Sequence, residues 1–277
     1  MRKPPRLTPV PPEQALQEAG RIKRIDENLL AAGQAFNVGD PKSAWLHLER
    51  IRKLCGSPEK YVEQLLKLRQ TFGDLQDPHA YNSVYFTSVR ALLECVQMSK
   101  PGSLGVNIFK QDVTLYERLK RNGHEAIPAV LLISSQLAVA LLEGKPTRDI
   151  VNIDKRLEAI ATDALWHSAV LSTVGARVAI VSPEAVEPLQ PIIGKLANIE
   201  RSVEADMINN VMLIAQAFRR GENVEVKLDL LRQRFIDARE HGFTWPASPL
   251  RPLLEQSWQL LACVAKNVTP NAASATA

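Results

Sequence analysis

Apolar residues return every three or four positions along most of this 277-residue chain, the spacing that gathers them on one face of an α-helix. Ile22, Ile25, Leu29, Ala32 and Phe36 form one such stripe and predict a first helix from about Glu13 to Asn37. Ala44, Leu48, Ile51 and Cys55 predict a second. Val62, Leu65 and Leu68 predict a third from about Pro58 to Phe72, and Tyr85, Val89, Leu92, Leu93 and Val96 a fourth from about His79 to Ser99. The stretch from Lys100 to Gly105 reads as a linker, with a shorter helix expected from about Phe109 to Arg121. Residues 147 to 181 carry one long helical pattern through Ile150, Ile153, Leu157, Ile160 and Leu165. Gly175 and the β-branched Val174, Val178, Ile180 and Val181 leave a short strand open in its second half, residues 168 to 181. Pro183, Pro188 and Pro191 predict a short helical turn and a new start. Helices are then expected from Pro191 to Arg220, through Val224, Leu228, Leu231 and Phe235, and from about Pro249 to Asn267.

One stretch departs from this one-faced pattern. Ile127 to Leu142 reads IPAVLLISSQLAVALL and is apolar almost all the way round, so protein or lipid must surround it. It is shorter than the roughly twenty residues a bilayer core requires, and it contains Pro128, Ser134, Ser135 and Gln136. A buried central helix of a non-membrane protein is expected, its serines bonding back to carbonyls one turn earlier.

Punctuation between the stripes supports an all-helical reading. Asp40-Pro41, Ser57-Pro58, Asp77-Pro78, Ser182-Pro183 and Ser248-Pro249 each put a capping side chain before a proline. The cap accepts a free amide of the first turn, and the proline lacks the amide that would go unpaired there. Two hairpins also echo one another. Gln34-Ala35-Phe36 precedes Gly39, and Gln216-Ala217-Phe218 precedes Gly221 at the same spacing; Ala140-Leu141 before Gly144-Lys145-Pro146 is a looser third copy. Small Ala lets two helices approach, and Gly accepts the left-handed conformation of the turn. FNVGDPKSAWLHLERI resembles the helix-turn-helix unit of tetratricopeptide-type and related α-solenoid proteins, which implies stacked hairpins; the spacing between copies is irregular. The fold expected is all-α, either an irregular multi-helix bundle or a short αα-superhelix of about nine or ten helices. Residues 1–12 are expected to form a disordered, proline-rich basic arm, 13–268 a single helical domain with a possible division at 100–106, and 269–277 a disordered tail.

Composition narrows the chemistry. Aromatics are 5% of the chain and the formal charge is +4, which permits an acidic partner without demanding one. The three cysteines, Cys55, Cys95 and Cys263, lie far apart in apolar helical contexts, as small buried hydrophobes of a reducing compartment do. The N-terminus has no apolar run after its positive charges, so a cytoplasmic protein is expected. None of the five histidines has a His or a carboxylate three residues away, which removes the helical metal pairs of di-iron bundles. Asp163 and His167 lie four apart, at the spacing of a local helix pair. No Cys-x-x-Cys, phosphate-binding loop or nucleophile elbow occurs.

A non-catalytic role without a cofactor is therefore expected: a scaffold, adaptor or regulatory subunit that binds another protein or a second copy of itself. Its candidate contacts are Arg6, Trp45, Arg50, Arg52, Lys53 and Trp245. The alternative is a nucleic-acid-associated accessory protein using basic helix ends, with Arg118, Lys120, Arg121, Arg219 and Arg220 on phosphate. An enzyme whose site is assembled from distant residues is the remaining class.

Overall fold

The computed structural model describes residues 11–74, 80–121, 126–161, 164–192, 210, 213–214, 216–217, 220–230 and 233. Among them are eight named α-helices: α1 (Pro12–Asn37), α2 (Pro41–Cys55), α3 (Pro58–Arg69), α4 (Ala80–Cys95), α5 (Gly102–Arg121), α6 (Ala126–Leu142), α7 (Thr147–Glu158) and α8 (Ala164–Val181). 3₁₀ turns at Gln70–Asp74 and Pro183–Leu189 follow α3 and α8. The described residues contain no strand, and α8 runs as helix through the segment left open above. The arm, the tail, the expected final helix, and Arg6, Arg219 and Trp245 lie outside the described residues.

Caps and turns follow local chemistry. Asp40 accepts the Ser43 amide at 3.1 Å, and the Ser57 hydroxyl accepts the Lys60 amide at 3.3 Å. Ser182 differs: its hydroxyl is 3.0 Å from the Glu184 carboxylate and caps no backbone amide. The three echoed hairpins close alike. Gly39, Gly144 and Gly221 have φ of 71°, 62° and 78°. The residue after each donates its amide to the carbonyl of a buried alanine five positions back: Asp40 to Ala35 at 2.8 Å, Lys145 to Ala140 at 2.9 Å, Glu222 to Ala217 at 3.1 Å. This is the Schellman closure, in which a left-handed residue folds the chain back onto an otherwise unpaired helix carbonyl.

Packing joins each helix to the next. Beyond these sequential pairs α1 meets α3, α3 meets α5 and α4 meets α8, and α2 reaches α4 through side chains. The array is hairpin-like as far as α5. There α6 breaks the stacking order, because it packs on α5, α7, α8 and the second 3₁₀ turn together. Val130 to Ser135, Leu137, Ala138, Ala140 and Leu141 are all buried, so this apolar helix is enclosed by protein. No helix among the described residues is long and apolar enough to cross a membrane.

Four local expectations change. The supposed linker is the first turn of α5: Gly105 donates to the Pro101 carbonyl at 2.8 Å and lies against Val181. The long pattern at 147–181 breaks between Glu158 and Ala164, leaving Ile160 exposed. Ile22 is exposed too, because α1 overruns its partner: Arg21 bonds the Leu54 carbonyl at the end of α2, and residues 11–20 lie in solvent. Ser134 and Ser135 do not bond back; their buried hydroxyls have no partner among the described residues. His167 pairs at 2.7 Å with Asp154 of α7, while Asp163 lies outside the described residues.

Candidate functional site

The α2 face is built by helical spacing. Lys42, Leu46, Arg50 and Lys53 recur at steps of three and four and are all exposed. Trp45 stands at the edge of this row, 39% exposed, beside Leu46 at 57%. The indole is held from behind. Phe86 of α4 meets it at 5.8 Å between centroids, inclined by 62°, and the Arg90 guanidinium lies 4.5 Å from the ring centroid. Arg90 is itself bonded to the Glu49 carboxylate. A large aromatic fixed in place offers contact area at small entropic cost to a partner.

The basic residues of α2 separate into two groups. Arg52 turns toward α4, where its Nε donates to Glu94 at 2.7 Å, whereas Arg50 and Lys53 point to water. At the end of α5, Arg118, Lys120 and Arg121 are exposed and have no carboxylate partner among the described residues. Arg220 is engaged with Glu222 at 3.3 Å. The candidate phosphate contacts thus reduce, among the described residues, to one helix end.

A second polar assembly lies deep between α3, α4, α5 and α8. Asp112 is fully buried and accepts from two arginines. Arg69, 0% exposed, donates Nη2 to Oδ1; Arg177, 3% exposed, donates Nη2 to Oδ2 at 2.9 Å. Ser88 donates its hydroxyl to the same Oδ2 at 2.8 Å and accepts from Arg177. Arg69 spends its other donors on the Thr87 hydroxyl at 3.1 Å, the Ile108 carbonyl and Gln111 at 3.3 Å each, and the Val84 carbonyl at 3.4 Å. The Arg177 guanidinium lies 4.9 Å from the centroids of both Tyr85 and Phe109. Burial pushes the nearby Tyr116 phenol well above its ordinary pKa, so it stays neutral. Two cations on one anion, enclosed by four helices, suit the fixing of helix register better than turnover.

The sequence contains a signal for this centre. Asp112 occupies a stripe position of α5 among Ile108, Phe109, Leu115, Tyr116 and Leu119, and Arg177 interrupts an apolar run. A charge at a stripe position must find a buried partner. The partners, however, are 43 and 65 positions away, beyond the reach of local spacing.

Signs of chemistry are few. Cys55 and Cys95 are buried, and burial pushes the Cys55 pKa up, away from the reactive thiolate. Among the described residues no three His, Cys, Asp or Glu side chains gather to hold a metal ion. No family model, curated protein or solved structure matches this chain.

Proposed function

We propose that this chain is a non-catalytic helical module that binds another protein through the exposed face of α2. The carrying observation is the half-exposed Trp45, braced by Phe86 and Arg90 and set beside the exposed Leu46, Arg50 and Lys53. Tryptophan and arginine dominate the residues that supply binding energy at protein interfaces, and a ring already held in place loses little freedom on docking. Arg50 and Lys53 favour an acidic surface on the partner.

The test is retention from native lysate on the immobilised chain, half of the lysate nuclease-treated. A protein retained in both halves, and weakened about 30-fold by Leu46→Asp with no change in melting temperature, is the expected result. Retention indifferent to Leu46→Asp and Trp45→Ala would sink the reading.

The second reading, a nucleic-acid-associated protein, rests on Arg118, Lys120 and Arg121 at the end of α5. Cations at a helix C-terminus also meet the helix dipole favourably, and the sparse aromatics offer few surfaces for base stacking. Retention abolished by nuclease and by moderate salt would put this reading first.

A further inference from the structure

The seam between the antiparallel helices α1 and α2 is a ladder of facing residues. Arg21, Arg24 and Asn28 recur on α1 at steps of three and four, as His47, Arg50 and Leu54 do on α2. The outer two rungs are hydrogen-bonded. Arg21 donates to the Leu54 carbonyl at 2.7 Å, and the His47 ring nitrogen Nδ1 lies 2.9 Å from the Asn28 amide oxygen. Those two rungs fix the register, and the level between them belongs to Arg24 on one helix and Arg50 on the other. Both are exposed. Two cations are thus mounted opposite each other across one seam, an arrangement that repels unless an anion comes between.

No carboxylate of the hairpin answers them. Glu18 pairs with Arg21, Glu27 with Lys23, Asp26 with Lys67 and Glu49 with Arg90. Asp40 accepts the Ser43 amide. Glu13 stands in the first turn of α1, about 16 Å from Arg24 at helical rise. Arg24 makes one weak contact, its Nε 3.4 Å from the Gly20 carbonyl. Among the described residues its two terminal nitrogens, and the whole Arg50 guanidinium, have no partner. Lys53, one turn beyond Arg50 and exposed, adds a third positive charge.

We infer that this rung clamps a side-chain carboxylate of the partner that docks on α2. A guanidinium presents parallel N–H groups that fit a carboxylate, and an anion held from both sides cancels the repulsion between Arg24 and Arg50. Leu46 lies one turn before Arg50 on the exposed row of α2, and Lys53 one turn after. A partner helix laid along α2 matches that order at one-turn intervals: an apolar residue, then a Glu or Asp, then a second. A phosphodiester backbone brings the charge but nothing apolar for Leu46 and Trp45. The inference rests on the protein-binding reading and adds to it the acidic group of the partner and a contact from α1.

The experiment is fluorescence polarisation with labelled helical peptides, blocked at both ends, whose stripe positions vary over Ala, Val, Leu, Ile and Phe. One pool carries Glu at the flanking positions and the other Gln, with a short duplex RNA as competitor. The Glu pool is expected to bind about tenfold more tightly, the worth of one charged contact. Arg24→Gln and Arg50→Gln should each remove that tenfold difference, leaving the Gln pool and the melting temperature unchanged. Lys120→Gln, at the end of α5, should leave the difference in place. Leu46→Ala should weaken both pools. Equal binding of the two pools, no binding of either at millimolar concentration, or a difference that survives Arg24→Gln overturns the inference. So does an equal loss on Lys120→Gln, the mark of a general positive field, and so does displacement by RNA at concentrations as low as unlabelled peptide requires. If the clamp variants change nothing while retention from lysate still depends on Leu46, the clamp falls and the α2 reading stands.

Discussion

Helix α4 is held by arginine on two sides, and the two clusters differ chiefly in how much water reaches them. On one side Thr87 and Ser88 meet Arg69 and Arg177, which are enclosed with Asp112. On the other, Arg90 and Glu94 meet Glu49 and Arg52, and the Arg52 side chain keeps 40% of its exposure. The ionic chemistry is the same. In the enclosed cluster both the attraction and the desolvation cost are large, so the assembly stabilises only when complete. In the half-wet cluster water substitutes for a lost partner, so each contact is worth less and can be lost singly. The comparison assigns the two arginine sets different work: one fixes how α3, α4, α5 and α8 meet, while the other braces a surface ring.

The sharpest way to break the comparison is Asp112→Asn. It preserves shape but leaves two buried guanidiniums with no anion, and should cost about 3–5 kcal/mol in chemical denaturation. Arg177→Met, which leaves the Arg69–Asp112 pair intact, should cost clearly less. Equal losses would show that the three residues do not act as a carboxylate with two claimants.

The half-wet side should respond more mildly. Arg52→Ala strands the buried Glu94 at a place water can reach, and about 1–2 kcal/mol is expected. A loss as large as that of Asp112→Asn would erase the distinction drawn here.

The smallest effect is a pH dependence. Tyr61 lies in the half-wet cluster, 6.0 Å from the Arg90 guanidinium, yet its own ring is fully buried. Burial pushes its pKa from 10.0 to about 12, against the opposing charge of Arg90. The folded state thus holds the phenol neutral where the unfolded state ionises. This contribution is full below pH 10 and is lost as pH rises through about 12. Tyr61→Phe should remove that part of the alkaline decline; an unaltered melting curve between those limits would deny it.

What could be read in advance divides along the same line. Helix starts at Pro41 and Pro58, and the closures at Gly39, Gly144 and Gly221, depend on residues within one turn of each other, and all five stand where the spacing puts them. The enclosure of α6 was legible because an all-round apolar helix admits few environments. Trp45 could be placed beside its stripe, but Phe86 and Arg90 behind it belong to another helix. Arg52, Glu94 and the triad at Asp112 join residues far apart in sequence, and no periodicity carries that information. Ser134 and Ser135 failed in another way: a local bond open to them was not made.

The meeting of Gly105 with Val181 bears on which positions of this chain are free to vary. A methyl group on Gly105 would come within 2.5 Å of one Val181 methyl and 3.1 Å of its Cβ. Valine branches at that carbon and has no long arm to swing aside. Gly102, three positions earlier in the same Pro-Gly-Ser-Leu-Gly run, has no heavy atom within 4 Å of where its Cβ would stand. Relatives of this chain should accordingly drift at Gly102 and stay fixed at Gly105. An apparently idle spacer thus holds one interchangeable letter and one that the neighbouring helix does not allow to change.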